Sequence, residues 1–438
     1  MSAALAESLA RARRLVSSRT GIVADVRFLE TGPEEPAVFW AQSRPADLRP
    51  LAGRPSLNYG NATAGDPGRA TMKAVGESIE RYCAAFYDER DLRLATHEDL
   101  APDAVRPEDF SLFTDAQYNS EGFPFAPFTL QTRVNWVAGH SLLDECPRWV
   151  PASFVYIPYD RAPGEPPLKD LISTGLACGQ TRLSATLKAL CEAVERDAYS
   201  IAWQHSLRRP HVDLDHVDDP GIQRLLAAMR RVPVRLHAVL LTLDIPIPVF
   251  LIVMTRDRPP YTVVASGCDL NPRQALYLAL EEACLALIGM GRAAAAEPWT
   301  PDAGYSSVTT MHMHGLAHAH DPRLRQASAF LTQPSALLRV DELPDVSTGD
   351  PAADLRTAVA AIRPFVSDVV AVDVTTEDVD DAGFKVVRVV VPDLVPMDVD
   401  HQYRHLGGRR LYDVPLALGL SEVRADPSGL NPAPHPFP

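Results

Sequence analysis

At 438 residues, with 46% hydrophobic and 22% charged residues, the chain has the make-up of a globular protein of two or three subdomains around a shared core. A net charge of −14 argues against nucleic acid and anionic membranes as partners, since both require a basic surface. No apolar run of about 18 residues is present to span a bilayer, the start MSAALAESLARARRLV lacks the apolar stretch of a signal peptide, and Cys83, Cys146, Cys178, Cys191, Cys268 and Cys284 show no C-x-x-C spacing, so reduced thiols and a cytoplasmic address are expected.

In chain order, the pattern predicts a helix over residues 4–17 and an alternating strand in GIVADVRFLE, before a Pro-rich passage, residues 32–55, that breaks the pattern. The loop NATAGDPGRA then feeds the helix ATMKAVGESIER, residues 70–81. Residues 92–167 are rich in Pro and aromatics and read as short strands and long loops. A second Gly-rich turn, STGLACGQ, enters ATLKALCEAVER, residues 185–196. After the helix GIQRLLAAMRRV and the strands RLHAVLLTL and IPVFLIVMTR, a third turn, ASGCDLNPRQ, enters a helix that starts at Ala275. Residues 290–321 are expected to be a loop in which His312, His314, His318 and His320 form a lid or surface segment. No Cys or carboxylate stands there at the spacing a metal site needs. From Leu355 the text is helix, strand, strand, and the chain closes with NPAPHPFP, whose alternating prolines impose a stiff extended form. Three parts are expected: a peripheral segment 1–55, a core 56–345 and a C-terminal segment 346–438.

The two copies of E-x-x-E-R carry the chemistry. On a helix Lys73, Glu77, Glu80 and Arg81 share one side, and Met72, Val75, Ile79 and Cys83 the other. Cys83 and Cys191 are therefore expected as buried packing. Repeated carboxylates on helices after Gly turns suit a hard cation, which needs oxygen ligands and shares them with phosphate. Glu77, Glu80, Glu192, Glu195 and, in the third unit, Glu282 are the metal candidates. Lys73, Arg81, Lys188 and Arg196 either hold phosphate oxygens or pair with the glutamates. The third helix has Leu285 and Ala286 where the others have Glu and Arg. No G-x-x-x-x-G-K-[ST], G-x-S-x-G or H-E-x-x-H motif is present.

The helix pair, the blocks NATAGDPGRATMKAVGESIER and STGLACGQ…EAVERDA, and the ending NPAPHPFP together resemble YcaO-domain proteins from about Asn61 to Pro438. The resemblance implies an α+β YcaO fold in which quasi-repeated Gly-turn and helix units surround a P-loop-free site for ATP and Mg2+. It adds Thr174, at a position that is often Asn in the family, to the nucleotide-binding candidates. The proline tail resembles that of azoline-forming cyclodehydratases. By that likeness Pro434, Pro436 and Pro438 reach the active site, where the Pro438 carboxylate assists proton transfer, and Cys, Ser or Thr of a ribosomal precursor peptide becomes thiazoline or (methyl)oxazoline. The resemblance also implies an E1-like partner that binds the leader peptide, allows a flavin dehydrogenase as a further partner, and is compatible with a homodimer. Thioamide or amidine formation, or a non-catalytic nucleotide- or peptide-binding subunit, are the alternatives. The chain departs from the family pattern at Lys73, often Ser, and at Leu285 and Leu287, often Gln and Arg, which leaves Arg292 as a substitute cation.

Overall fold

A computed structural model describes residues 3–53 and 59–438. The chain begins with α1 (Ala3–Arg13), β1 (Val23–Leu29), β2 (Phe39–Pro45), α2 (Arg49–Ala52), β3 (Gly60–Ala64) and the long α3 (Pro67–Ala85). Next come β4 (Arg93–Ala95), α4 (Asp115–Tyr118), β5 (Val134–Ser141), β6 (Pro147–Pro151), β7 (Leu176–Gly179) and α5 (Arg182–Gln204). Then follow β8 (His211–Val212), α6 (Pro220–Met229), β9 (Arg235–Leu240), β10 (Val249–Thr255), β11 (Thr262–Cys268) and α7 (Pro272–Ala296). The remainder holds α8 (Met311–His320), α9 (Leu324–Ala327), β12 (Leu337–Leu338), α10 (Pro351–Ile362), β13 (Val370–Asp373), α11 (Glu377–Asp381), β14 (Lys385–Val390) and α12 (Arg409–Ala417). Three sheets result: β1-β2-β3, β11-β10-β9-β8-β12, and β4-β5-β13-β14-β7 with β6 paired to β5. The mixture of helix and sheet is the α+β class expected.

The three Gly-turn units are three strand–cap–helix units. Each strand ends next to a capping side chain that takes an orphan N–H of the following helix: Asp66 accepts from Arg69, Thr181 from Ser184, and Asn271 from Arg273 and Gln274. Each helix packs on its own strand and on that of the next unit. Thus α3 covers β3 and β7, α5 covers β7 and β11, and α7 covers β11 and β3, which closes a ring. The recurring alanines explain the close fit. Ala70 and Ala74, Ala185 and Ala189, and Ala275 and Ala279 all have no exposed surface. A Cβ on Gly267 would meet the Ala279 nitrogen at 2.5 Å, and one on Gly179 the Ala185 nitrogen at 2.7 Å, so the backbones approach too closely for larger residues.

Strand β14 divides two hydrophobic cores by simple alternation, with Val387 and Val389 facing one and Val386 and Val390 the other. Since β13 and β14 lie inside the sheet that also contains β5 and β7, residues 346–438 share their sheet with the preceding chain.

Two expectations are corrected. The Pro-rich passage 32–55 contains β2, which pairs antiparallel with both β1 and β3; proline stops it only at its end, at Pro45. The expected boundary at 55/56 lies outside the described residues. The stretch 290–321 is helical at both ends: α7 runs on to Ala296, and α8 (Met311–His320) begins after Thr310, whose hydroxyl accepts from the Met313 N–H, so the loop is confined to residues 297–310. His314 and His318, one turn apart, are fully buried, so these two are not surface-loop residues, whereas His312 is exposed and residues 297–310 do form a loop.

Candidate active site

The ring of units brings the E-x-x-E-R helices together, and each glutamate is held in a parallel way. The first of each pair accepts from its own unit's entry strand or turn: Asn61 N–H donates to Glu77 at 2.9 Å and Gly175 N–H to Glu192 at 3.0 Å. Gly175 has φ +82°, where a side chain would be strained. The second accepts from the next unit's strand: Cys178 N–H donates to Glu80 at 2.7 Å and Ser266 Oγ–H to Glu195 at 2.5 Å. The motif thus ties neighbouring units at the point where they meet. Its arginines close each pair, Arg81 lying 3.5 Å from Glu77, and Arg196 3.4 Å from Glu192 and 3.2 Å from Glu195.

The carboxylates act on one another. Burial pushes Glu80 up to about 7, with Glu77 and Glu192 adding to the rise against the Cys178 N–H and Arg81. Burial also raises Glu77 and Glu195, and the charge of Glu282 contributes to both. Groups from α3, α5 and α7 therefore share one electrostatic neighbourhood. The side chains of Glu77, Glu192 and Glu282 keep 32%, 29% and 43% of their surface open, so ligands can reach them. Among the described residues, no three His, Cys, Asp or Glu side chains stand as a ready-made metal cluster. The donor set is nonetheless all oxygen, and crowded carboxylates with raised proton affinity are the groups a hard cation would relieve. They fit Mg2+ held jointly with phosphate oxygens better than a soft metal.

The candidate cations are mostly committed. Lys73 donates to Glu282 at 2.7 Å and lies 3.3 Å from Glu281. Lys188 donates to the Cys178 carbonyl at 3.2 Å. Thr174 is half-buried in the turn just before Gly175. Arg292 does not reach the carboxylates. It binds Glu35 at 2.7 Å and lies over the Trp40 ring, tying α7 to the region of β1 and β2, which corrects the expectation of a substitute there. Two residues went unnoticed in the sequence. Glu281, with no exposed surface, accepts from Arg69 Nε at 2.8 Å, and these two with Lys73 and Glu282 weld α3 to α7. The adjacent glutamates at 281 and 282 were the available signal. Cys83 and Cys191 are buried as expected, and Cys178 is buried with its thiol pushed well up by burial.

The tail folds back across α5. Pro434 and Pro436 are buried, and Phe437 and Pro438 half-buried. The Phe437 ring meets Tyr199 edge-on with centroids 5.2 Å apart, and the Arg196 guanidinium lies 4.3 Å from the centre of that ring. Pro438 rests against α8 at Gly315, where an added Cβ would come within 2.9 Å of it. The tail's Phe437 and the E-x-x-E-R arginine of α5 are thus neighbours.

A family model described as YcaO cyclodehydratase, ATP- and Mg2+-binding, matches residues 61–395. An uncharacterised protein of Methanothermobacter thermautotrophicus is 28% identical over 360 residues, covering 81% of this chain and 86% of its own length. Among solved structures, a heterocyclase in complex with substrate and cofactor is similar with a TM-score of 0.80 and 24% identity, covering 99% of this chain. This chain spans only 57% of that heterocyclase. The structure of YcaO from Methanopyrus kandleri bound with AMPPCP and Mg2+ is similar with a TM-score of 0.67 and 22% identity, covering 91% of this chain and 93% of its own. At these identities the two structures establish the fold.

Proposed function

The chain belongs to the YcaO cyclodehydratase family, described as ATP- and Mg2+-binding, and from that premise we propose that it uses ATP to close azoline rings in a peptide. The observation that carries this reading is the tail's position, with Phe437 on the arginine that holds Glu192 and Glu195. A tail docked on the carboxylate helices suits an enzyme whose C-terminus takes part in the reaction. Glu77, Glu80, Glu192, Glu195 and Glu282 hold the cation, Arg81 and Arg196 keep the pairs in register, and Thr174 and Lys188 line the nucleotide side. Lys73 serves mainly to neutralise Glu281 and Glu282.

In the proposed reaction a Cys, Ser or Thr side chain of the substrate gives its S–H or O–H proton to a base and attacks the carbonyl carbon of the preceding amide. The carbonyl oxygen takes the γ-phosphoryl group of ATP and leaves as phosphate, the nitrogen forms the ring C=N bond, and its proton is lost. Phosphorylation is needed because an amide oxygen is a poor leaving group, and bound Mg2+ spreads the charge of the transferred group. The Pro438 carboxylate, beside α8 and next in the chain to Phe437, is the proposed proton acceptor. Leader recognition is assigned to a separate E1-like protein. The test combines purified chain, partner and precursor peptide. ATP turnover with loss of one water's mass per ring is expected, whereas a thioamide or amidine mass would replace this reading with its alternative.

A further inference from the structure

His314 and His318 of α8 lie outside the carboxylate site, yet they meet the tail segment that reaches it. Prolines at 432, 434, 436 and 438 deprive the tail of half its N–H groups, so what it offers a receptor is mainly carbonyl oxygen. Three successive carbonyls are met by ring N–H donors. His401 Nε2 lies 3.1 Å from the Pro432 oxygen, Trp203 Nε1 3.3 Å from that of Ala433, and His318 Nε2 2.7 Å from that of Pro434. A carbonyl only accepts, so both imidazoles carry their proton on Nε2. The next residue is gripped by its ring: His435 stacks on His314 at 3.8 Å with planes 10° apart and donates from Nε2 to the Asp398 carbonyl at 2.9 Å. At the start of the tail, Asn431 N–H donates to the Gln204 carbonyl at 2.7 Å. Burial lowers both His318 and His401 to about 4, so each stays neutral and keeps a single N–H for this contact.

We propose that His318, His401 and His314 are positioning residues, a ring clamp on α8 and the 401–403 turn that fixes the proline tail so that Phe437 ends at Arg196 and Pro438 at Gly315. This role rests on the azoline-forming reading for its effect on rate, but not for its effect on the tail. The α8 histidines are spaced i, i+4 because the two faces they serve, the Pro434 carbonyl and the His435 ring, follow each other along the tail.

The test uses the full chain with His318→Leu, His318→Gln and His401→Leu. Amide hydrogen exchange at Ala433, His435 and Phe437 is followed without substrate, nucleotide affinity is measured, and ring formation is timed with partner and peptide. Both Leu variants should speed exchange in the tail about tenfold, the order expected for one lost hydrogen bond, and lower kcat for ring formation with nucleotide affinity nearly unchanged. His318→Gln, which keeps an N–H near the position of Nε2, should restore both. His401 is half-exposed, so its variant folds even where the His318 site tolerates no change. Wild-type exchange in both Leu variants, fast exchange with an unchanged kcat, or equal loss in the Gln and Leu variants would each overturn the clamp. Should the wild-type chain form no azoline, the reaction reading fails, while the exchange rates still decide the clamp.

Discussion

The Arg196 guanidinium lies 4.3 Å from the centre of the Phe437 ring while its nitrogens hold Glu192 and Glu195. One side chain therefore joins the end of the polypeptide to the carboxylates of α5. A cation–π contact of this kind contributes about 1 kcal/mol. Phe437→Ala should lower kcat for ring formation by roughly fivefold to tenfold, and deletion of residues 434–438 should abolish it, with the melting temperature changed by only a few degrees. A truncated chain that cyclises at the full rate would remove the tail from the mechanism.

The carboxylates should separate stability from function. Glu80 has its proton affinity raised from 4.5 to about 7, so the folded state binds this proton more tightly than the unfolded one. The resulting penalty appears as pH rises from 4.5 through 7 and is complete above it, about 3 kcal/mol. At pH 8, Glu80→Gln keeps an acceptor for the Cys178 N–H and should raise the melting temperature of the ligand-free protein. The same variant, and Glu77→Gln or Glu192→Gln, should weaken Mg2+-dependent nucleotide binding by more than about tenfold, read by calorimetry.

Glu281 has no exposed surface and depends on Arg69 and Lys73. Arg69→Met leaves the buried carboxylate with Lys73 as its remaining cation beside the Tyr277 hydroxyl, so denaturant unfolding should show a loss of about 3 kcal/mol. The double variant Arg69→Met, Glu281→Leu should recover much of it, because no charge is then stranded.

What the sequence made legible was local text. The E-x-x-E-R pairs and their alanines repeat within single helices, so their register could be read from Ala70 and Ala185 onward, and the structure shows why: alanine is what fits where Gly179 and Gly267 bring strand against helix. The Arg69–Glu281 pair was not legible, since its partners stand 212 residues apart and only closure of the ring brings α3 to α7. Helix α8 was hidden for a different reason. Its His314 and His318 read as polar surface until the tail, more than a hundred residues later, supplies the carbonyl and the ring that bury them. Likewise β2, among prolines, takes its identity from pairing on both sides rather than from its own pattern.

The buried imidazole of His318 sets an acid limit. Burial brings it from 6.5 down to about 4, with His435 and His401 pushing the same way and the Pro434 carbonyl and Asp321 opposing. The unfolded chain then takes up a proton below 6.5 that the folded chain takes up only near 4, so stability falls as pH drops through that window, by up to about 3 kcal/mol. Urea unfolding between pH 7 and 4 should show this slope, and His318→Gln should flatten it.

The most direct measurement of the central claim is the mass of a precursor peptide incubated with the chain, its leader-binding partner, ATP and Mg2+. Loss of one water's mass per modified Cys, Ser or Thr is expected, with phosphate released in step and no loss in Glu192→Gln. An unchanged peptide mass beside ordinary ATP binding, or ring formation that persists in Glu192→Gln, would contradict it.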